Sequence, residues 1–314
     1  ILDGTAEEAI HKKYDGLEPI LHQMKALADR LARRRSQRGS LDLESTEAKI
    51  LIGEDGRVQD IVPRQSGVSE GMIEEFMLVA NEAAASFGLA RELPFLFRIH
   101  EDPSAEKLEA LAELLKVLGL DTVRIKPGVQ PSELQAVLKA VKGTDMQMLV
   151  NSQLLRSMAK ARYSEVNKGH FGLVLQKYSH FTSPIRRYPD LAIHRIMSES
   201  LKGTAAQEMQ RRFGRFVQDA AVHSSTAEQR AMSVERSCED CYKAEYMSSH
   251  LGESYEGMVS GVIERGIFVE LPNTVEGMIR ISEMPGHFEY DGKIEVKDKD
   301  SGRRFRIGDR IRIK

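Results

Sequence analysis

Two adjacent arginines, Arg186 and Arg187, lie between two prolines in the stretch HFTSPIRRYPD, residues 180–190. A guanidinium group presents its N–H donors in a planar fork that matches the oxygens of a phosphate or a carboxylate. The two side chains could therefore bind a phosphate group, or they could fasten two helices by pairing with carboxylates such as Asp190 or Glu199. Their chemistry by itself favours the two interpretations about equally.

Helix starts on both sides of the arginines would position them. Ser183-Pro184 is typical of a helix start, because the hydroxyl can cap the first turn and proline is tolerated at the first helical position. Pro189-Asp190 is typical of a second start, since Pro189 disfavours a helical conformation at the residue before it. Two helix N-termini would leave unpaired N–H groups, which also favour phosphate. We expect helices to dominate from Pro184 to about residue 250.

The chain before this stretch has the patterns of an α+β domain. Residues 6–38 have apolar positions at helical spacing, and Gly39 is a suitable stop. The five arginines in RLARRRSQRG, at the end of this helix, either offset the helix dipole or contact nucleic-acid backbone. The next expected elements are a strand hairpin over 41–62 and a helix over 69–90. A short strand then precedes a helix that Ser104 caps and that runs to 118. Helices over 131–141 and 152–164 follow, and then a loop with a buried strand over 169–181.

From about Gly252 the pattern changes to short strands separated by glycine turns, with no helix longer than a turn. This pattern predicts a small antiparallel barrel. We therefore divide the chain into two domains, 1–251 and 252–314.

The composition is that of a soluble globular protein. Of 314 residues, 41% are hydrophobic and 29% are charged, and the net charge of -2 argues against a chain that is basic throughout. No run approaches the roughly 20 apolar residues that span a bilayer, and no signal segment opens the chain.

Cys238 and Cys241 form a lone C-x-x-C in a helical stretch, which we interpret as incidental cysteines of a reducing cytoplasm. The opening ILDGTAEEAI is typical of the interior of a domain, so we expect a fragment.

The long segment GHFGLVLQKYSHFTSPIRRYPDLAIHR, residues 169–195, resembles the signature of the ribonuclease II / ribonuclease R family in its RNB catalytic domain. MIEEFMLVAN, LFRIHEDPS and LLRSMAKARYS resemble the ribonuclease R branch in the same order. The terminal region is similar to the S1-type OB-fold RNA-binding domain. The resemblance covers essentially the whole chain. It implies the C-terminal portion of the catalytic domain, mainly helical with mixed sheet, followed by a five-stranded barrel that is incomplete at its end.

The resemblance also implies an activity. Members of the family degrade single-stranded RNA processively from the 3′ end to nucleoside 5′-monophosphates, with two Mg²⁺ ions held by an Asp-x5-Asp-x-Asp-Asp cluster. This sequence has no such cluster. The nearest aspartates, Asp291, Asp298 and Asp300, have the wrong spacing and are interpreted as a solvated hairpin. We expect the Mg²⁺ ligands upstream and no nuclease activity from this chain alone. The alternative is a shortened or degenerate relative that binds RNA without cutting it.

Other expectations follow from the same family. Single-stranded RNA is the expected partner, with the ribosome or other RNA-decay factors as further partners. We expect a monomer in the cytoplasm, without membrane association.

Within the catalytic domain, the resemblance gives several residues a role. Arg186 matches an arginine that contacts RNA phosphate near the scissile bond, and Glu235 matches a glutamate near the 3′-terminal nucleotide. Glu235 could instead be a surface carboxylate paired with a neighbouring arginine, Arg230 or Arg236. Glu74 matches a base-contacting glutamate, although the register leaves Glu75 as an alternative. Two further residues are expected to bind RNA, Arg187 and Leu43. Arg187 is also expected to have a structural role together with Asp190. Leu43 replaces a phenylalanine that stacks on the bases, so we expect the bases to be held more weakly at that end.

In the barrel, Phe268 is retained as a stacking residue, whereas Arg265 and Arg280 replace the usual aromatic and histidine. RNA binding by the barrel should therefore rest more on phosphate charge. The last 18 residues carry eight Lys/Arg against three Asp. Beside such a barrel, this run favours RNA contact over a merely solvated face.

Overall fold

The computed structural model describes residues 1–41, 48–64, 66–144 and 146–314. Its helices are α1 (Glu8–Lys13), α2 (Glu18–Gln37), α3 (Val68–Ala90), α4 (Ala105–Val117), α5 (Pro131–Val141), α6 (Gln147–Ser157), α7 (Tyr188–Leu201) and α8 (Ala206–Ser248). Its strands are β1 (Ala48–Ile52), β2 (Val58–Pro63), β3 (Phe97–Ile99), β4 (Arg162–Ser164), β5 (Tyr255–Ile263), β6 (Gly266–Glu270), β7 (Glu276–Arg280), β8 (Phe288–Tyr290), β9 (Glu295–Asp298), β10 (Arg304–Arg306) and β11 (Arg310–Ile313). Among these described residues, no helix is both long enough and apolar enough to cross a membrane.

The α+β class is confirmed. The helical part contains two small antiparallel sheets, β1-β2 and β3-β4, and a parallel bridge that joins His100 to His170. One core packs β3 and β4 against α7 and the first half of α8, around Ile99, Ile193 and Met209. A second core lies among α4, α5 and α6, around Leu115 and Leu134. Phe181, in the loop that carries the paired arginines, packs against the first of these cores.

The small antiparallel β-domain predicted after residue 252 is confirmed, but it has seven strands where five were expected. The strands form two sheets, ordered β11-β5-β6-β7 and β10-β9-β8, and one short 3-10 turn, Ile281–Glu283, follows β7. The inward residues of these strands, including Val259, Ile267 and Val296, form a third core. The boundary expected near Gly252 lies in the connection between α8 and β5. Whether a further strand completes the barrel after residue 314 stays a prediction.

The single long helix expected over 6–38 is wrong, because the chain forms α1 and α2 with a break between them. Gly16 has φ +79°, a left-handed conformation that interrupts a right-handed helix. Pro19 lies in the first turn of α2, where its missing N–H leaves no bond unmade. The end of this region was predicted well, since α2 stops at Gln37 and Gly39 has φ +88°.

The first of the two helix starts beside the arginines is also wrong. Residues 184–186 form a single turn, in which the Arg187 N–H donates to Ser183 O over 3.0 Å. Arg187 is then extended, with φ -123° and ψ 116°, and α7 begins at Tyr188. Because Pro189 has no N–H to donate back to the preceding turn, one helix cannot run through both prolines.

Two other predicted elements are corrected. Residues 169–181 hold no strand, because His170 and Leu175 pair with each other across a tight loop. The distance from His170 N to Leu175 O is 2.7 Å, and that from Leu175 N to His170 O is 3.2 Å. The helix expected over 152–164 stops at Ser157, and Arg162–Ser164 forms β4 against β3. At residues 162–164 the long-range pairing with β3 overrides the local helical pattern, whereas at 169–181 the pairing lies within the loop itself. The hairpin β1-β2 and the helix capped by Ser104, whose hydroxyl accepts from Lys107 N, are confirmed.

Candidate nucleic-acid interface

A cavity of about 540 Å³ lies between α3 and the loop that precedes α7. Two of the predicted site residues, Glu74 and Arg187, line it. The other residues of its wall are Ser69, Glu70, Ile73, Met77, Leu78, Asn81 and Tyr178. The cavity thus combines an apolar helix face with one acidic and one basic predicted site residue.

The structure distinguishes Glu74 from Glu75. The Glu75 carboxylate is buried and accepts a hydrogen bond from Arg35 Nε over 2.8 Å, which ties α3 to α2. Glu74 is 58% exposed and lies 3.7 Å from the same guanidinium. Of the two residues, Glu74 lines the cavity and Glu75 does not.

The two arginines of the loop have different environments. Arg187 Nη2 donates to Asp190 Oδ1 over 2.9 Å, and this carboxylate is fully buried and also accepts from Ser183 N over 2.8 Å. Arg186 is exposed, and its guanidinium has no carboxylate partner among the described residues. Glu199 pairs instead with Lys202 and Arg212. Arg187 therefore has the structural role of binding the buried carboxylate, whereas Arg186 is available to a ligand.

The loop that carries the two arginines is held from two sides, by α3 and by α7. Asn81 on α3 accepts from Phe181 N over 2.9 Å and donates to the Tyr178 hydroxyl over 3.0 Å. On the α7 side, the His194 ring stacks on Phe181 with centroids 4.2 Å apart, and His194 Nε2 lies 2.9 Å from Phe181 O. We call residues 178–187 the arginine loop.

Two rings of the arginine loop, Tyr178 and His180, form a cluster with His170 and Tyr163, in which the tyrosines are buried and the histidines are partly buried. His170 and His180 each contact Tyr178, with centroids 5.4 and 5.7 Å apart, and His180 Nδ1 lies 2.9 Å from the Tyr163 hydroxyl. Burial lowers the pKa of His170 to about 3 and that of His180 to about 2, and the nearby arginines add to the effect. Burial raises the pKa of Tyr163 to about 12. At neutral pH the cluster is therefore uncharged and does not compete with a ligand for the arginines.

Glu235 lies on the second half of α8. Residues 222–248, all of which the structure describes, include no buried residue, and Glu235 itself is exposed. No ion pair joins it to Arg230 or Arg236 in the described chain, and it does not contact the arginine loop. Two turns earlier, Glu228 pairs with Arg98 over 2.6 Å, which fixes α8 beside the ring cluster. Glu235 lies roughly 10 Å further along the same helix face.

Two predicted residues of the barrel share one face, and the backbone of a third lies beside it. Phe268 and Arg280 occupy the same face of the β6-β7 pair, because Gly266 pairs with Arg280 and Phe268 with Met278. The Ile281 N–H donates to Arg265 O over 2.9 Å, which keeps Arg265 beside this face. Arg280 is 65% exposed. The fourth residue predicted to face the base stack, Leu43, lies outside the described residues.

The charged run at the chain end follows the strand geometry. In β11, Arg310 and Arg312 are exposed and alternate with Ile311 and Ile313, which pack toward the barrel core. Strand alternation thus presents the two arginines on one face.

The acidic residues of the barrel do not form a metal site. Asp298 accepts from the Ser301 hydroxyl and from His287 N, which lowers its pKa to about 2. Asp291 accepts from three backbone N–H groups of its own turn. Over the residues that the structure describes, no group of three or more His, Cys, Asp or Glu side chains could hold a metal ion. These residues therefore do not fit the two-Mg²⁺ site that the family implies.

The model of the RNB domain matches residues 1–203, which include α3, the arginine loop and α7. The chain belongs to the RNB-domain family. The model of the S1 RNA binding domain matches residues 250–314, so α8 lies between the two matched regions.

Curated relatives are named ribonuclease R. Ribonuclease R 1 of Lactococcus lactis is 40% identical over 99% of this chain and 38% of its own length. Ribonuclease R of Escherichia coli is 33% identical over 100% of this chain and 40% of its own length. The chain thus spans about two fifths of the length of these relatives.

Solved structures agree with this fold. The RNase R of Mycoplasma genitalium in complex with ribose methylated single-stranded RNA superposes with a TM-score of 0.87, at 28% identity, over 93% of this chain and 46% of that one. Yeast Ssd1, described as a pseudonuclease, shares the fold with a TM-score of 0.54 at 22% identity. The fold therefore occurs with and without nuclease activity.

Sequence reasoning missed the residues that support the arginine loop. Asn81 is a polar residue that is only 2% exposed, on a helix whose other buried positions are mostly small or apolar. The spacing of His100, His170 and His180 gives no local pattern, because their rings meet only through the tertiary fold. A buried asparagine on the apolar face of a helix is the signal that could have drawn attention to this region.

Proposed function

We propose that this chain is the RNA-holding part of a ribonuclease R-type exoribonuclease, which degrades single-stranded RNA processively from its 3′ end to nucleoside 5′-monophosphates. One observation carries the proposal. Arg186 is exposed and without a carboxylate partner in the described chain, and its sequence neighbour Arg187 lines one cavity together with Glu74. A guanidinium in this setting is available to a phosphate oxygen.

The chain's residues would divide the binding of RNA between them. Arg186 holds the phosphate near the scissile bond and stabilises negative charge there, while Arg187 and Asp190 keep the loop in place. Glu74 offers its carboxylate to a base, and the apolar wall of the cavity contacts the base faces. Glu235 lies near the 3′-terminal nucleotide. Phe268, Arg265 and Arg280 bind the strand at the barrel through one ring and two charges.

Hydrolysis in the whole enzyme depends on Mg²⁺, which supplies an activated water and stabilises charge on the transferred phosphate. The described residues of this chain do not fit such a site. We therefore assign to this chain the binding and orientation of RNA, and not the hydrolysis itself.

The first test measures RNA affinity. We expect Arg186→Ala to weaken the binding of a fluorescent 12-nucleotide oligo(A) by about tenfold, because one charge-assisted phosphate contact is lost. The measurement is fluorescence anisotropy over a series of salt concentrations, in which the salt slope should fall by about 0.7 to 1. Arg215→Ala is the matched control, since Arg215 is 93% exposed on α8. Equal affinities for wild type and Arg186→Ala would contradict the proposal.

The alternative is a non-catalytic RNA-binding relative, which the lack of a metal cluster in the described residues favours. Both functions require RNA binding and expect no hydrolysis by this chain alone, so nucleotide release tests the premise that they share. The chain incubated with Mg²⁺ and labelled RNA should release no nucleoside monophosphates by thin-layer chromatography. Robust release would show that the chain carries its own catalytic residues.

A further inference from the structure

Asn81 joins α3 to the arginine loop. Its side chain is 2% exposed, and its amide uses both ends: Oδ1 accepts from Phe181 N over 2.9 Å, and Nδ2 donates to the Tyr178 hydroxyl over 3.0 Å. Asn81 lies seven residues after Glu74, which places the two residues on the same face of α3. Both line the cavity.

Other contacts hold the loop against α7 and against the β3-β4 sheet. His194 of α7 stacks on Phe181, and Asp190 of α7 accepts from Ser183 N. Arg98 N of β3 donates to Tyr178 O over 2.8 Å, and the Tyr163 hydroxyl of β4 lies 2.9 Å from His180 Nδ1. Asn81, whose bond to Phe181 spans 100 residues of sequence, instead ties the loop directly to α3.

We propose that Asn81 is a positioning residue that fixes the arginine loop against α3, so that one RNA strand contacts Glu74 and Arg186 together. An apolar residue at this position leaves the Phe181 N–H and the Tyr178 hydroxyl without partners in a buried site. The loop then moves toward water to satisfy them, and Arg186 moves with the loop. The RNA-binding test of this inference rests on the proposed function, whereas the trypsin test rests on the loop geometry alone.

The first experiment is a double-mutant cycle. In wild type, Arg186→Ala should weaken oligo(A) binding about tenfold, but in Asn81→Leu the same change should matter less than about threefold, because Arg186 is already displaced. Gln135→Leu is the matched control: Gln135 is a buried amide that donates to Ser36 O and Ser40 O, away from the loop. A merely structural role would lower stability in both variants and leave the Arg186 effect unchanged. The full tenfold effect in Asn81→Leu overturns the inference.

The second experiment does not use RNA. Trypsin cleavage after Arg186 and Arg187, mapped by mass spectrometry, should be at least about fivefold faster in Asn81→Leu than in wild type or Gln135→Leu, because local opening exposes the loop. Equal rates overturn the inference. Tyr178→Phe, which removes only the hydroxyl partner, repeats the test with the packing retained and should show a smaller acceleration. If Arg186→Ala has no effect in wild type, the proposed function fails, and the trypsin result alone decides the role of Asn81.

Discussion

Neighbouring side chains of the same type have different roles in this protein. Arg187 is fastened to the fully buried Asp190, whereas Arg186 is exposed one residue earlier. Glu75 is buried against Arg35, whereas Glu74 faces the cavity. In each pair the buried member needs a partner of opposite charge, because an unpaired buried charge is strongly unfavourable. The exposed member of each pair, Arg186 or Glu74, is the one that a ligand can reach.

The partly buried histidines predict how stability depends on pH. The pKa of His170 is about 3 and that of His180 about 2, both below the ordinary value of 6.5. The unfolded chain therefore binds more protons below pH 6.5, and stability falls as the pH decreases from there. Each histidine contributes at most about 1.4 kcal/mol per pH unit.

Urea unfolding at pH 7 and pH 5 checks this expectation. The free energy of unfolding should be lower at pH 5, and in His180→Phe the difference between the two pH values should shrink. An equal pH difference in wild type and His180→Phe would contradict the assignment.

Glycine and proline decide where several elements end. Gly16 separates α1 from α2, and Pro189 restricts the chain before α7 to a single turn. Within α3, glycine has a different purpose at Gly88. A Cβ there would lie 2.6 Å from the Phe95 ring, so the close approach of α3 to the core requires the absence of a side chain.

Two glycines of α3 make this a matched prediction. Gly88→Ala should lower the free energy of unfolding by about 1 to 3 kcal/mol, because the added methyl group overpacks the Phe95 ring. Gly71→Ala should be neutral or should raise it by up to about 1 kcal/mol, since nothing lies within 4 Å of a Cβ there and alanine favours helix. Urea titrations of the two variants measure the difference, and equal effects would contradict the packing argument.

At the scale of the whole molecule, the barrel packs against the helical part through a small apolar contact. Ile61 of β2 lies with Leu271 and Val275 of the barrel in one buried cluster. Polar links add to it, since Gln153 donates to Ser260 O over 3.0 Å and Lys293 pairs with Glu113 over 2.7 Å. The contact sets the position of the barrel face that carries Phe268 and Arg280 relative to the arginine loop.

Truncation of Ile61 tests this contact. Ile61 is 1% exposed, so Ile61→Ala should lower the free energy of unfolding by about 2 to 4 kcal/mol and separate the melting of the barrel from that of the helical part. Differential scanning calorimetry detects both effects. Ile52→Ala on the same hairpin is the control, because Ile52 is 50% exposed. A single unshifted transition in Ile61→Ala would show that the contact does not couple the two parts.

Much of the fold follows from local patterns. Helical spacing predicted α3, α4 and α5, and strand alternation predicted the β1-β2 hairpin and the barrel. The strand at 169–181 and the long first helix were wrong, because a loop that pairs across its own ends and a left-handed glycine leave no periodic signal. Motif resemblance gave the family, which the domain matches establish.

The sequence by itself determined the family, the order of helices and barrel, and the presence of two arginines suited to phosphate. It left open which arginine is free and which of two glutamates faces the cavity. Those choices depend on burial and on partners brought from distant segments, such as Asp190 beneath the loop and Arg35 beside Glu75. The link from Asn81 to Phe181 is of the same kind. Hydrogen bonds and ion pairs form between groups that are close in space, and only the tertiary structure determines which groups those are.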